Sequence, residues 1–85
     1  MNTPAHGHDQ VTTTIETPDG IVKISTWRSF FTRAMYKWVY MVERDDEVVE
    51  CRLFVTMSER DEEVAAKVAE LAPDVQRLRV TRVTP

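Results

Sequence analysis

The feature that most limits this chain is the tetrapeptide Thr17-Pro18-Asp19-Gly20, set between two runs of alternating, largely β-branched residues. Upstream, Val11, Thr13 and Ile15 alternate with Thr12, Thr14 and Glu16; downstream, Val22, Ile24 and Thr26 alternate with Ile21, Lys23 and Ser25. Branched side chains suit a pleated surface, and a period of two puts each set on one face. Proline presets φ at the second turn position, aspartate suits the third, and glycine accepts a positive φ at the fourth. The pattern predicts a β-hairpin with a type I turn and a glycine bulge.

Residues 27–44 are the next constraint. They hold six of the chain's seven aromatic residues, interleaved with Arg28, Arg33, Lys37 and Arg44. On a helical template, Trp27, Phe30, Phe31, Ala34, Met35, Trp38, Met41 and Val42 fill one face. The residues after the turn at 44–47 favour strand for the later part. Val49, Cys51, Leu53, Val55 and Met57 alternate strictly, and a tight turn at Arg44-Asp45-Asp46-Glu47 pairs them with the stretch ending at Glu43. Trp38, Tyr40 and Val42 then lie opposite Leu53, Cys51 and Val49 on one face. The other face sets Met41 against Glu50, Val39 against Arg52 and Lys37 against Phe54. A one-residue slip exchanges every side chain between faces, so this agreement selects the register. A helix reaching Val42 also lacks a glycine or asparagine to end it. A short helical connection is therefore expected over residues 28–35; the alternative is a long helix at 27–43.

Ser58 is a candidate cap for a helix, with Glu59, Asp61, Glu62 and Glu63 near its positive end. Val64, Ala65, Val68, Ala69, Leu71 and Ala72 form its apolar stripe, and Pro73 ends it. Residues 75–83 are a last strand, carried by Leu78 and Val80. The expected fold is α+β: an antiparallel-rich sheet of about five strands, ordered hairpin, connection, hairpin, helix, strand, with the helix on one face. Residues 1–10 are expected to be a disordered tail and residues 11–85 a single domain.

A chain of 85 residues has a thin core. Cys51 is its lone cysteine, which rules out an intrachain disulfide. With no leader-like start, a soluble cytoplasmic protein is expected. The net charge of −3 conceals blocks of opposite sign. Lys23, Arg28, Arg33, Lys37 and Arg44 face only Glu43 between residues 21 and 44, whereas ten acidic groups outnumber three basic ones in residues 45–74. Arg77, Arg79 and Arg82 close the chain. Such blocks are expected to complement one another within the folded domain, the alternative being a positive face for anionic partners.

Candidate chemistry is sparse. His6, His8 and Asp9 lie on the expected tail with no further ligands, so no metal or cofactor is expected. Cys51 falls in an apolar alternation and is expected to be a small core residue rather than a nucleophile. Glu43, Asp45, Asp46, Glu47 and Glu50 lack the ligand spacing and glycine of a calcium loop. Two glycines, Gly7 and Gly20, cannot build a phosphate loop. No catalytic residue is assigned, and a non-enzymatic role is expected.

Binding remains. The face carrying Lys37, Val39, Met41, Arg52 and Phe54 is more apolar than a solvated face needs to be, which points to a small regulatory or protein-interaction module. Such a module docks a sheet face or edge on a protein partner or on itself as a homodimer. The alternative is single-stranded nucleic-acid binding by Trp27, Arg28, Phe30, Arg33, Tyr36 and Lys37, with rings stacking on bases and cations tracking phosphates. A pI near 5.3 weighs against it.

Overall fold

The computed structural model describes residues 8–29 and 38–83. Five strands, β1 (His8–Thr17), β2 (Gly20–Arg28), β3 (Trp38–Arg44), β4 (Glu47–Phe54) and β5 (Arg77–Val83), form one antiparallel sheet in the order β4-β3-β2-β1-β5. Between β4 and β5 runs the helix α1 (Met57–Leu71), continued by one turn of 3-10 helix at Ala72–Asp74. The α+β fold with one helix on a five-stranded sheet is the one the sequence predicts. Trp27 lies in β2 and Trp38 in β3, so the long helix at 27–43 does not form. Most of the connection expected over residues 28–35 lies outside the described residues.

The first hairpin follows its sequence closely. Thr17 stands opposite Gly20 across Pro18 and Asp19, and the register runs on unshifted from there to Val11↔Thr26. The expected glycine bulge is therefore absent, although Gly20 does take a positive φ of 136°. A Cβ at Gly20 would lie 2.5 Å from a carboxylate oxygen of Asp45, so the site rejects a side chain on both counts. That carboxylate accepts the Ile21 amide at 3.0 Å, and the Asp45 amide donates to the Ile21 carbonyl at 2.9 Å. The turn of the second hairpin is thereby tied to the start of β2.

β1 begins earlier than expected. Residues 8–10 belong to the strand, and Gln10 is 1% exposed, so the tail assignment of 1–10 fails at its C-terminal end. The strand gains this length because β1 is interior to the sheet, with β2 on one side and β5 on the other, where Gln10 pairs with Val83.

The second hairpin departs from its expected register. Arg44 pairs with Glu47 and Glu43 with Val48, as the sequence implies. A β-bulge then intervenes, and Val42 faces Glu50 instead of Val49. Beyond it Met41 faces Cys51, Tyr40 faces Arg52, Val39 faces Leu53 and Trp38 faces Phe54. An extra residue in one strand of a pair has this effect. It turns Phe54 under the helix and Cys51 and Leu53 away from it.

Burial explains why the bulge wins. Phe54 joins Ile15, Val22, Ile24, Tyr40 and Val42 in the core, 6.1 Å from Tyr40 in an edge-to-face contact. The phenyl ring makes an aromatic contact with Tyr40 that neither Cys51 nor Leu53 can supply. The same shift brings Arg52 to Glu63 at 3.0 Å and Glu50 to Lys67 at 3.4 Å, joining β4 to α1.

The helix is capped two residues earlier than Ser58 suggested. Thr56 is its cap, accepting the Glu59 amide at 3.2 Å and donating its hydroxyl to the Glu59 carboxylate at 3.0 Å. The Thr-x-x-Glu spacing is that of a capping box. Val64, Val68 and Leu71 meet the core, joined by Val75, whereas Ala65, Ala69 and Ala72 are exposed. The stripe that packs on the core is thus narrower than the apolar pattern, and its members are half-buried. At the amino-terminal end Arg60 lies 4.4 Å above the Trp38 ring, a contact that holds the helix to β3.

Candidate interaction surface

Strand pairing sorts the side chains between two faces. Ile15, Val22, Ile24, Tyr40, Val42 and Phe54 point to α1; Met41, Val39, Cys51 and Leu53 point away from it. Part of the outer face is closed, since Thr12 and Ser25 are buried there and their hydroxyls lie 3.1 Å apart. Towards β4 it opens. Val39 and Met41 are half-buried, Cys51 is exposed, and Leu53 and Val48 are 55% and 58% exposed. Those five residues are adjacent on two neighbouring strands and carry no charge.

Of the residues expected on this face, Val39 and Met41 are there. Arg52 and Phe54 are not: the bulge places both on the helix side, with the guanidinium 5.2 Å from the Phe54 ring. Lys37 lies outside the described residues. Cys51, expected in the core, occupies the open face instead. Cys51, Leu53 and Val48 were missed because the strict alternation of β4 gives no sign of a bulge. Phe54 ends that alternation on the wrong side, and its size was the available clue.

Of the aromatic and basic group considered for nucleic acid, Trp27 and Arg28 end β2, the first half-buried and the second exposed. Phe30, Arg33, Tyr36 and Lys37 lie outside the described residues. Arg77, Arg79 and Arg82 are exposed along β5, at the opposite edge from β4.

Beneath the helix, Tyr40 is fully buried, and its hydroxyl has no hydrogen-bond partner among the described residues. Burial, reinforced by Glu50 and Glu63, pushes its pKa well above the ordinary phenol range, with Arg52 acting the other way. A groove of about 240 Å³ beside α1 is lined by Val22, Val42, Arg44, Glu50, Lys67 and Leu71, among others. Its lysine already contacts Glu70 at 3.1 Å and Glu50 at 3.4 Å. The hydrogen bond to Glu70 is the main reason that the Lys67 pKa rises. Among the described residues no group of three His, Cys, Asp or Glu side chains comes together to hold a metal ion, and no helix is long and apolar enough to cross a membrane. No protein-family model, curated protein or solved structure matches the chain.

Proposed function

We propose that this protein is a small non-enzymatic interaction or regulatory module that docks the β3–β4 side of its sheet, face or edge, on a protein partner or on itself. The carrying observation is the uncharged cluster in which Val48, Cys51 and Leu53 are exposed on the edge strand β4 and Val39 and Met41 are half-buried beside them on β3. Burying such a cluster against another protein removes apolar surface from water, at ~25 cal/mol per Å². An open strand edge adds main-chain hydrogen bonds to that gain. The separate charge blocks fit this reading, because Glu50 and Arg52 are engaged with α1 and leave the outer face of β4 neutral.

A photo-crosslinking side chain at position 53, in cells expressing the full chain, tests the reading. Position 62, exposed on α1, serves as the control. Discrete adducts from position 53 and none from position 62 are expected. Equal labelling at both positions, or none at either, refutes the proposal.

A further inference from the structure

Resting on that reading, we infer that the partner is a second copy of this chain, joined edge to edge by antiparallel pairing of β4 with β4 about a two-fold axis through Cys51. Among the described residues β4 is the terminal strand of the sheet, with β3 on one side and no strand on the other. An antiparallel pair of identical strands is isologous: each residue meets its mirror position across the axis. With the axis at Cys51, Glu50 of each copy faces Arg52 of the other.

Charge selects this register. Moving the axis to Arg52 sets two guanidinium groups opposite each other, and like charges directly opposed destabilise a strand pair. Moving it to Leu53 sets Arg52 against Phe54 and leaves both carboxylates without a partner across the seam. The pairing at Cys51 also extends ion pairs already present. Glu50 meets Lys67 and Arg52 meets Glu63 within each chain, so the seam becomes a row of alternating sign running from one helix to the other.

The opposite edge does not offer the same solution. β5 carries Arg77, Arg79 and Arg82, and its one ion pair among the described residues is the exposed contact of Arg77 with Glu16 at 3.8 Å. A second copy brought to that edge adds three more arginines. Joining β4 of one chain to β5 of another gives an open-ended contact that propagates instead of closing.

The test is sedimentation equilibrium of the full chain with two single variants, Glu50→Arg and Arg52→Glu. Wild type is expected to show a monomer–dimer equilibrium. Each variant alone replaces two attractive contacts by two repulsive ones, weakening association by roughly tenfold to hundredfold. In a mixture of the two, one chain carries arginine at both positions and the other carries glutamate at both. Every contact across the seam is then attractive again, and a heterodimer is expected. Circular dichroism checks that each variant is folded. If either is not, Cys51→Lys, at an exposed position on the axis, replaces it and is expected to be monomeric.

Diamide gives an independent readout. Directly opposed antiparallel residues have Cα atoms about 4.5–5.5 Å apart, within disulfide range. Two Cys51 thiols then give up two electrons and two protons to diamide, which is reduced to its hydrazine, and a linked dimer forms.

A wild type that stays monomeric to its solubility limit overturns the inference, as does open-ended assembly or a variant mixture that fails to associate. The broader reading is judged separately by the crosslink at position 53. Adducts there to a different protein, with a monomeric wild type, end the homodimer and leave the docking surface standing.

Discussion

Replacing Tyr40 by phenylalanine should stabilise this protein. The ring is 0% exposed, and its hydroxyl finds no hydrogen-bond partner among the described residues. A buried polar group left unsatisfied costs ~1–3 kcal/mol, whereas deleting one oxygen forfeits only a few dispersion contacts. The edge-to-face packing on Phe54, at 6.1 Å and 72°, belongs to the ring and survives the change. A net gain of about 1 kcal/mol is expected, which raises Tm by about 4–8 °C in a domain of this size. Urea denaturation at pH 7 measures it.

The same substitution has a signature in pH. Because burial, followed by Glu50 and Glu63, raises the pKa of the folded phenol, the folded state keeps this proton after the unfolded chain has lost it. The unfolded state then binds fewer protons, and stability falls as pH rises. The effect is absent below the unfolded value of ~10 and amounts to at most ~1.4 kcal/mol per pH unit above it. The gap between variant and wild type should therefore widen above about pH 10. Other alkaline groups titrate in both proteins and cancel in the difference. A Tyr40→Phe variant less stable by ~1 kcal/mol or more at pH 7 would show that the hydroxyl is hydrogen-bonded and would refute the argument.

The register of β4 gives a sharp contrast between neighbours. Phe54→Ala should cost ~3–5 kcal/mol, and Leu53→Ala, at an exposed position, under about 1 kcal/mol; comparable losses in a denaturant series would contradict the bulge. Asp46 holds a φ of 68° at the tip of the second hairpin and, among the described residues, makes an exposed 3.6 Å contact with Lys23. Asp46→Gly should relieve that strain and raise thermal stability by ~0.5–1 kcal/mol, while Gly20→Ala should lower it. Thr56→Ala removes the helix cap and should cost ~1 kcal/mol, read from the same melting curves.

How far the chain could be read depended on whether the deciding interactions were local. The turn at Pro18–Asp19, the positive φ of Gly20 and the alternation of β1 and β2 come from neighbouring residues, so they were legible. The acidic start and proline-bounded end of α1 were legible for the same reason, although Thr56 and Ser58 compete within two positions for one cap. The second hairpin was legible as a turn and two strands, because Asp45 and Asp46 tolerate left-handed backbone.

The face presented by β4 was not. Two registers of one hairpin differ by a single inserted residue, and each gives a plausible alternation. In isolation, one offers Leu53 and Cys51 to the core and the other offers Phe54. Only the helix packed above decides, by supplying the cavity that Phe54 fills beside Tyr40 and the charges that meet Glu50 and Arg52. The candidate surface inherits that decision: the alternation alone puts Val39 and Met41 on the outer face, whereas only the packed helix draws Arg52 and Phe54 to the other side.

Local chemistry in this protein thus determined the elements and their order, because turn geometry, capping and side-chain period act over a few residues. Tertiary packing determined which side of the last hairpin strand meets water. A bulge costs little locally, and what selects it is burial and charge pairing with a helix that the chain reaches only after the strand is complete.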